Sequence, residues 1–514
     1  MPFNLKKLTD LHFAVFMWVF LCLLQVVYLI LKYPFDINFG YEFGAVAEAI
    51  MDGKGYSNPW KFDSGPTAAV LPFLVYFHLF FFYLFGKTFL SFILISIIKY
   101  SFYGLTYYFL LRIIRLQKIQ LLHFPISLLF IMFFLFSPTL NFEHTGDLWL
   151  NIFFVTWLIY GISVFFKGNR RSGIYHLVFF YLISPQVNPS IALAGLVTFF
   201  VISVLTFIGP IGYRKLLKIR NLLNEELTRK PCLQFVRYSL IFSAVFGLSV
   251  LIWSVRNYLV FDKFIPTKSN LWMEYYLTNM KDADGLLSYS TVVKYHPIGS
   301  DSIKNKFIEK GEIAMMNEFE TIGVKHRSNN PGLYSKKVLN RIFNAFVYTE
   351  YDSDVAPVIN FQAFSEADKE RLMISKLFVK ETWTCLEITP EVFRQTLNNL
   401  NIIDKESVYN DWISARKSYL HSRNSFQVVV RSLIMGILVT FSIFFLLFTP
   451  FRLNQLFIGS LVFYIVYLIP YILVSHQLRY HRPLFIIQLI IIYFMVLYIF
   501  DKIKFKSNAI NQNL

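Results

Sequence analysis

The sequence predicts an all-α polytopic membrane protein with about ten transmembrane helices, and three observations carry that fold class. Of 514 residues, 55% are hydrophobic and only 16% charged, with 58 Phe, so apolar side chains outnumber what one soluble core can bury. Uncharged apolar runs of about 20 residues recur, each long enough at about 1.5 Å per residue to cross about 30 Å of hydrocarbon. Lys and Arg gather in the segments between alternate runs, as cytoplasmic loops require. The net charge of +17, from 49 Lys and Arg against 32 Asp and Glu, fits that distribution better than nucleic-acid binding. Cys22, Cys232 and Cys385 are too few and too scattered for a disulfide framework or a zinc site.

The first run, 11–31, is too long for a signal h-region and has no small-residue cleavage site. Further runs lie near 68–86, 89–111, 122–138, 148–166, 174–184, 190–210, 238–260, 432–449, 454–474 and 484–500. The parity of the chain turns on 68–86. If this run lies along the interface, the inside segments hold 19 Lys and Arg, from Lys6 and Lys7 through the basic stretch 214–237 to Lys506. Few then remain in the short outside loops: Lys54, Lys61, Lys87, Arg479 and Arg482. If the run crosses, the tally inverts. Pro66 at its entry and Pro72 within it also suit an interfacial helix. The reading is ten spans, both termini cytoplasmic, in a cell membrane. It divides the chain into an N-terminal membrane module (1–260, with the first external loop at 32–87), an external segment (261–431) and C-terminal membrane helices (432–514). Helical spacing of Ile303, Phe307 and Ile308, and of Val338, Ile342 and Phe346, predicts helices over 301–327 and 333–348. No Walker, Rossmann or HExxH motif is present, and no internal repeat.

Two acid-bearing segments face outside in this topology. The first loop carries Asp36 and Glu42, and the segment Asn141-Phe-Glu143-His144-Thr-Gly-Asp147 opens the fourth span. The plain reading of each acid is a solvated charge or a helix-terminal residue. The chemical reading is a base for an acceptor hydroxyl beside a second acid that holds a sugar or a metal.

The ordered motifs around these acids carry a resemblance. Gly40-Tyr41-Glu42-Phe-Gly44, then Gly53-Lys-Gly55-Tyr56-Ser57-Asn58-Pro59, then Gly65-Pro66-Thr67-Ala68 with Pro72, resembles the first external loop of bacterial GT-C membrane glycosyltransferases. The nearest group is family 39, similar to protein O-mannosyltransferases and lipid A aminoarabinose transferases. Phe142-Glu143, Asn188-Pro189, Trp253-Ser-Val-Arg256-Asn257-Tyr258, Ala283-Asp284-Gly285, Tyr295-His296-Pro297, Lys310-Gly311-Glu312 and Arg479-Tyr480-His481-Arg482-Pro483 continue it in order. The resemblance implies juxtamembrane helices in the first external loop, an outward-facing site and a polyprenyl-phosphate-linked sugar donor. It also implies an acid of the first loop as base or acceptor-orienting group. Carried to this chain, that acid is Glu42, with Asp36 second; better-studied members often carry an Asp or an Asp-Glu pair where Gly-Tyr-Glu stands here, which leaves the base assignment open between the two. Glu143 takes the place of the second acid.

A departing polyprenyl phosphate needs cations at the outer leaflet, and Arg supplies bidentate donors. Arg256, at the outer end of the seventh span, is the first candidate, with Lys263 beside it; Arg479 and Arg482 follow. As plain membrane residues these would be snorkelling anchors. Asp147 and His296 complete the candidate substrate-binding set. Trp60, Trp272 and Tyr480 could stack on sugars, although aromatic belts occur at every interface. Lys99 sits inside an apolar run, where a charge is costly unless it faces protein or water. The expected reaction transfers a sugar from the lipid donor to an acceptor (protein, lipid or glycan) on the external face. No cofactor is predicted and no metal assigned, although Glu42, Glu143 and Asp147 could take a divalent cation if they converge. The expected partners are the donor, the acceptor and membrane lipids, with no nucleic acid. A polysaccharide polymerase or ligase, or a lipid or solute transporter, is the alternative.

Overall fold

The computed structural model describes residues 9–31, 39, 41–117, 126–131, 146–217, 229–282, 284–287, 289–347, 390–399, 404–410, 412–413, 433–449, 455–475 and 480–511. The elements in chain order are α1 (Asp10–Leu31), α2 (Tyr41–Met51), α3 (Pro72–Phe85), α4 (Phe89–Leu116), α5 (Leu148–Lys167), α6 (Arg170–Ile183), α7 (Pro189–Leu217) and α8 (Arg229–Phe261). After these come α9 (Leu271–Tyr275), α10 (Tyr289–Tyr295), α11 (Asp301–Lys310), α12 (Glu312–Asn329), α13 (Pro331–Val347), α14 (Pro390–Asn398), α15 (Val439–Leu447), α16 (Gln455–Leu473) and α17 (Phe485–Asn511). Among the described residues no strand occurs; Ser57 and Pro66 form an isolated antiparallel bridge.

Among the described residues, six helices are long and apolar enough to cross a membrane: α1, α4, α5, and the stretches Phe235–Phe261, Leu456–Leu473 and Arg482–Ile499. The protein is therefore a multi-helix, all-α membrane protein. Of the other runs, 174–184 falls in α6, 14 residues long, 190–210 in α7 and 432–449 in a helix over Gly436–Leu447, while 122–138 lies mostly outside the described residues. The run 68–86 yields a helix of only 14 residues, α3, about 21 Å long and short of the hydrocarbon thickness. Pro72 at its first turn and Gly86 at its end, with φ 70° and ψ 179°, set those limits.

Helix α5 is the centre of the bundle, packed against α4 and α6 with 83% of its apolar window buried. The approach of α6 to α5 depends on Gly173, where an added Cβ would lie 2.6 Å from the Phe165 backbone. The ion pair Asp10–Arg115 (2.8 Å) places the start of α1 beside the end of α4, so these helices run antiparallel. Gly168, just past α5, lies against Leu116 at that same end. The opposite end of α5, at Asp147, belongs with the first-loop helices and the segment that follows α8.

The expected helix over 301–327 is two helices. Gly311, at φ 80° and ψ 165°, occupies a region that is nearly glycine-only, and it ends α11 and starts α12. The helix expected over 333–348 is α13, beginning at Pro331.

Candidate functional site

The first-loop segment 52–72 folds back on itself without regular structure. The Asn58 side-chain carbonyl accepts from the Ser64 and Gly65 amides (3.0 and 3.1 Å), and its amide donates to Asp63 (3.1 Å). Asn58 itself has φ 58°, a left-handed conformation that Asn tolerates. The loop presents two backbone carbonyls, those of Tyr56 and Thr67, to the end of α8.

Arg256 takes both. It donates to the Thr67 carbonyl (2.7 Å), the Tyr56 carbonyl (3.2 Å) and Asn257 Oδ1 (3.0 Å). Its guanidinium lies over the rings of Tyr56 (4.9 Å) and Trp253 (5.0 Å). Three of its five N–H donors are thus engaged and two remain. Around it, Asn257 donates to the Ile265 carbonyl and Trp253 Nε1 to the Thr267 carbonyl, which pins the chain leaving α8 back along the helix end.

Glu312 meets the same loop from the other side. Its carboxylate accepts from Thr67 Oγ1 (2.5 Å), the Ala68 amide (2.8 Å) and Ser269 Oγ (2.6 Å), and it is 3% exposed. Burial raises its pKa, while the three donors and the Arg256 charge oppose that rise. Glu312 and Arg256 form no ion pair. The anion holds the Thr67 hydroxyl and the next amide, and the cation holds the Thr67 carbonyl, so one dipeptide is gripped from two sides.

Four segments that the sequence marks separately therefore meet here: Tyr56–Ala68, Trp253–Asn257, His296 and Gly311–Glu312. His296 is buried, with Nδ1 accepting from the Ile298 amide (3.1 Å) and its ring edge-on to Trp60 at 5.7 Å. Trp60 is likewise buried, against His296 and Phe307. Both brace the loop from within. Lys263 bonds Asn317 on α12, tying the chain after α8 to the same helix as Glu312.

The other predicted residues fall elsewhere. Glu42 is half-buried in the first turn of α2 and makes no contact with Arg256 among the described residues. Asp147 occupies the N-cap position of α5, where it accepts from Asn151 Nδ2 (3.0 Å), within electrostatic reach of Tyr467 and Tyr471. Arg482 lies in a one-turn helix packed against α5 and close to Tyr103, so Asp147 and Arg482 share one neighbourhood. Tyr480 stacks on Tyr471 at 4.2 Å. Lys99 is buried on α4 with its ammonium 4.9 Å from the Tyr100 ring. Asp36, Glu143 and Arg479 lie outside the described residues. Among those described, no group of three or more His, Cys, Asp or Glu converges as metal ligands would.

Glu312 has no catalytic or binding role in the sequence reading. Its signal was Lys310-Gly311-Glu312: a glycine able to break the helix and deliver an acid at a helix start.

Fold and site together define a multi-helix membrane protein with a loop-and-arginine centre at one end of the bundle. Compared with known proteins, the chain matches no family model, no curated protein and no solved structure.

Proposed function

We propose that the protein is a membrane glycosyltransferase that moves a sugar from a polyprenyl-phosphate donor to an acceptor on the external face of the cell membrane, with both termini cytoplasmic. The observation supporting this reading is the convergence around Arg256. Glu312 holds the Thr67 hydroxyl from 245 positions away, and the Thr67 carbonyl in turn accepts from a half-buried guanidinium that keeps two donors unspent. A phosphate at the membrane surface is the anion such a group suits, being planar, bidentate and held by fixed partners.

The reaction is a single displacement. The acceptor hydroxyl gives its proton to Glu42 or Asp36, and its oxygen attacks the anomeric carbon. The bond from that carbon to the phosphate oxygen breaks, and the phosphate leaves with the electron pair. The two free N–H groups of Arg256 meet the charge that develops. Glu312, saturated by its three donors and shut from solvent, positions the loop that positions Arg256. The lipid carries the activated sugar, so no nucleotide-binding loop is needed.

The test is transfer from a panel of radiolabelled polyprenyl-phosphate sugars in membranes containing matched amounts of wild type, Glu42→Gln and Asp36→Asn. Loss of activity in one variant alone names the base. Activity kept in both removes these two acids from the mechanism.

A further inference from the structure

Helix α13 has its polarity reversed. Lys337, Arg341 and Asn344, at helical spacing on one face, are buried, while Leu339, Ile342 and Phe343 on the other are exposed, Leu339 by 65% and Phe343 by 58%. A helix on a water-covered domain buries its apolar stripe and shows its charges to solvent. The buried cations are matched within the protein: Lys337 donates to the Asn279 and Asp282 carbonyls, and Arg341 to the Gly285 carbonyl and Asn279 Oδ1. The polar face therefore belongs to the protein interior, and the apolar face calls for a neighbour other than water.

The same helix descends beside α16. Near its start, Tyr334 Oη donates to the carbonyl of Leu473, the last residue of a span, and near its end the Ala345 carbonyl accepts from Tyr464 Oη (3.5 Å). Tyr464 lies nine residues, about 13 Å, back along α16, which is the middle of that span. The last carbonyls of a helix have no partner within it, and here two of them are met by hydroxyls of membrane helices: Ala345 by Tyr464, and Phe346 by Thr440 Oγ1 of α15 (2.5 Å). A helix end surrounded by hydrocarbon needs such partners, because water does not reach it. Both neighbours expose apolar rows of their own, Phe441 and Phe444 on α15 and Ile465 and Ile469 on α16.

We infer that α13 is a half-membrane helix, its C-terminal half sunk in the leaflet that the Leu473 end of α16 reaches, with Leu339, Ile342 and Phe343 against the acyl chains. In the topology proposed above this is the outer leaflet. Exposed Lys336, about one turn before Leu339, stands at the headgroup level, where a long cationic side chain reaches water. The segment after α8 is thus not wholly external: α13 is its foot in the bilayer, and the inward face of that foot holds the turn from Asn279 to Gly285 through Lys337 and Arg341.

The experiment uses the full-length chain cleared of its native cysteines, carrying Leu339→Cys or Phe343→Cys, with Lys306→Cys at an exposed position of α11 as the aqueous control. Each cysteine is labelled with bimane and the protein is placed in phosphatidylcholine nanodiscs, where both membrane faces are open to solutes. Positions 339 and 343 are exposed, so the labels displace no packed side chain, and matched melting temperatures confirm the fold. Phosphatidylcholine brominated on its acyl chains should quench bimane at 339 and 343 and leave 306 bright, whereas aqueous iodide should quench 306 alone. Quenching of 339 and 343 by iodide but not by brominated lipid would place α13 in water and overturn the inference. Protection of both positions from both quenchers would overturn it too, since a protein surface, from a second copy of the chain or from another protein, would then cover the face. None of these readouts depends on sugar transfer.

Discussion

Glu312 shows how one residue can tie a segment far along the chain to a loop near its start. Among the described residues its partners are all donors, two hydroxyls and one backbone amide, and burial is the largest influence on its proton affinity. A carboxyl whose folded pKa is raised binds more protons folded than unfolded, across the window between the two values. Stability from this group is complete below the ordinary glutamate range and declines as pH rises through the raised value. Melting temperature measured against pH should show that decline in wild type. In Glu312→Gln the same window should be flat. Glu312→Ala, which strands three donors, should destabilise the protein by about 3 kcal/mol, read in the same melts. Arg256 was legible as a site residue from its place at the end of an apolar run. Glu312 was not, because an acid inside a polar stretch looks solvated until a glycine break and two distant hydroxyls enclose it. His296 was legible as a motif member, but its burial against Trp60 is a tertiary fact that no local pattern announces.

Among the elements, the apolar runs were the most readable, since length and lack of charge decide them locally. Where the sequence left a run ambiguous, at 68–86, the outcome rests on Pro72 and Gly86, which limit α3 to 14 residues. The division of 301–327 was not read, because helical spacing continues across Gly311 while its backbone does not. A side chain at φ 80° and ψ 165° is strained, so Gly311→Ala should cost about 1–3 kcal/mol, measurable as a lower melting temperature, and should loosen Glu312 from Thr67. The end of α16 makes a second element-level contact that the sequence did not reveal. The carbonyls of Ile472, Leu473 and Val474 have no partners within a helix end. They accept from Arg341, Tyr334, Thr278 and Asn279, all in the segment after α8. Arg341 is fully buried, and burial pulls its pKa down to about 10, which leaves it charged at neutral pH and favourable at a helix C-terminus. Arg341→Ala takes their donor from the Ile472 and Gly285 carbonyls and from Asn279 Oδ1 and leaves the Leu473 carbonyl to Tyr334, an expected loss of about 3 kcal/mol. Limited proteolysis of the segment between α8 and α15 should then speed up while the membrane helices persist.

At the scale of the whole molecule, the bundle has two distinct ends. One holds Asp10, Arg115 and Lys167; the other holds the first-loop helices, the end of α8 and the segment capped onto α16. In the topology we propose from the charge distribution, the first end faces the cytoplasm. Single cysteines at exposed Lys61 and Lys167, in a chain cleared of Cys22, Cys232 and Cys385, test this with a membrane-impermeant maleimide. Position 61 should label in intact cells and position 167 only after permeabilisation; the reverse pattern would invert the topology and place the Arg256 centre inside. The central claim, sugar transfer from a polyprenyl phosphate with Arg256 meeting the departing phosphate, is tested most directly in proteoliposomes. Transfer should be measured for wild type and Arg256→Lys at matched amounts and matched melting temperature. Lysine keeps the charge and loses the bidentate fork, so wild type should transfer and the variant should lose about 100-fold in kcat with little change in acceptor KM. Equal rates from the two proteins, or no transfer by wild type from any polyprenyl-phosphate sugar, would contradict the account.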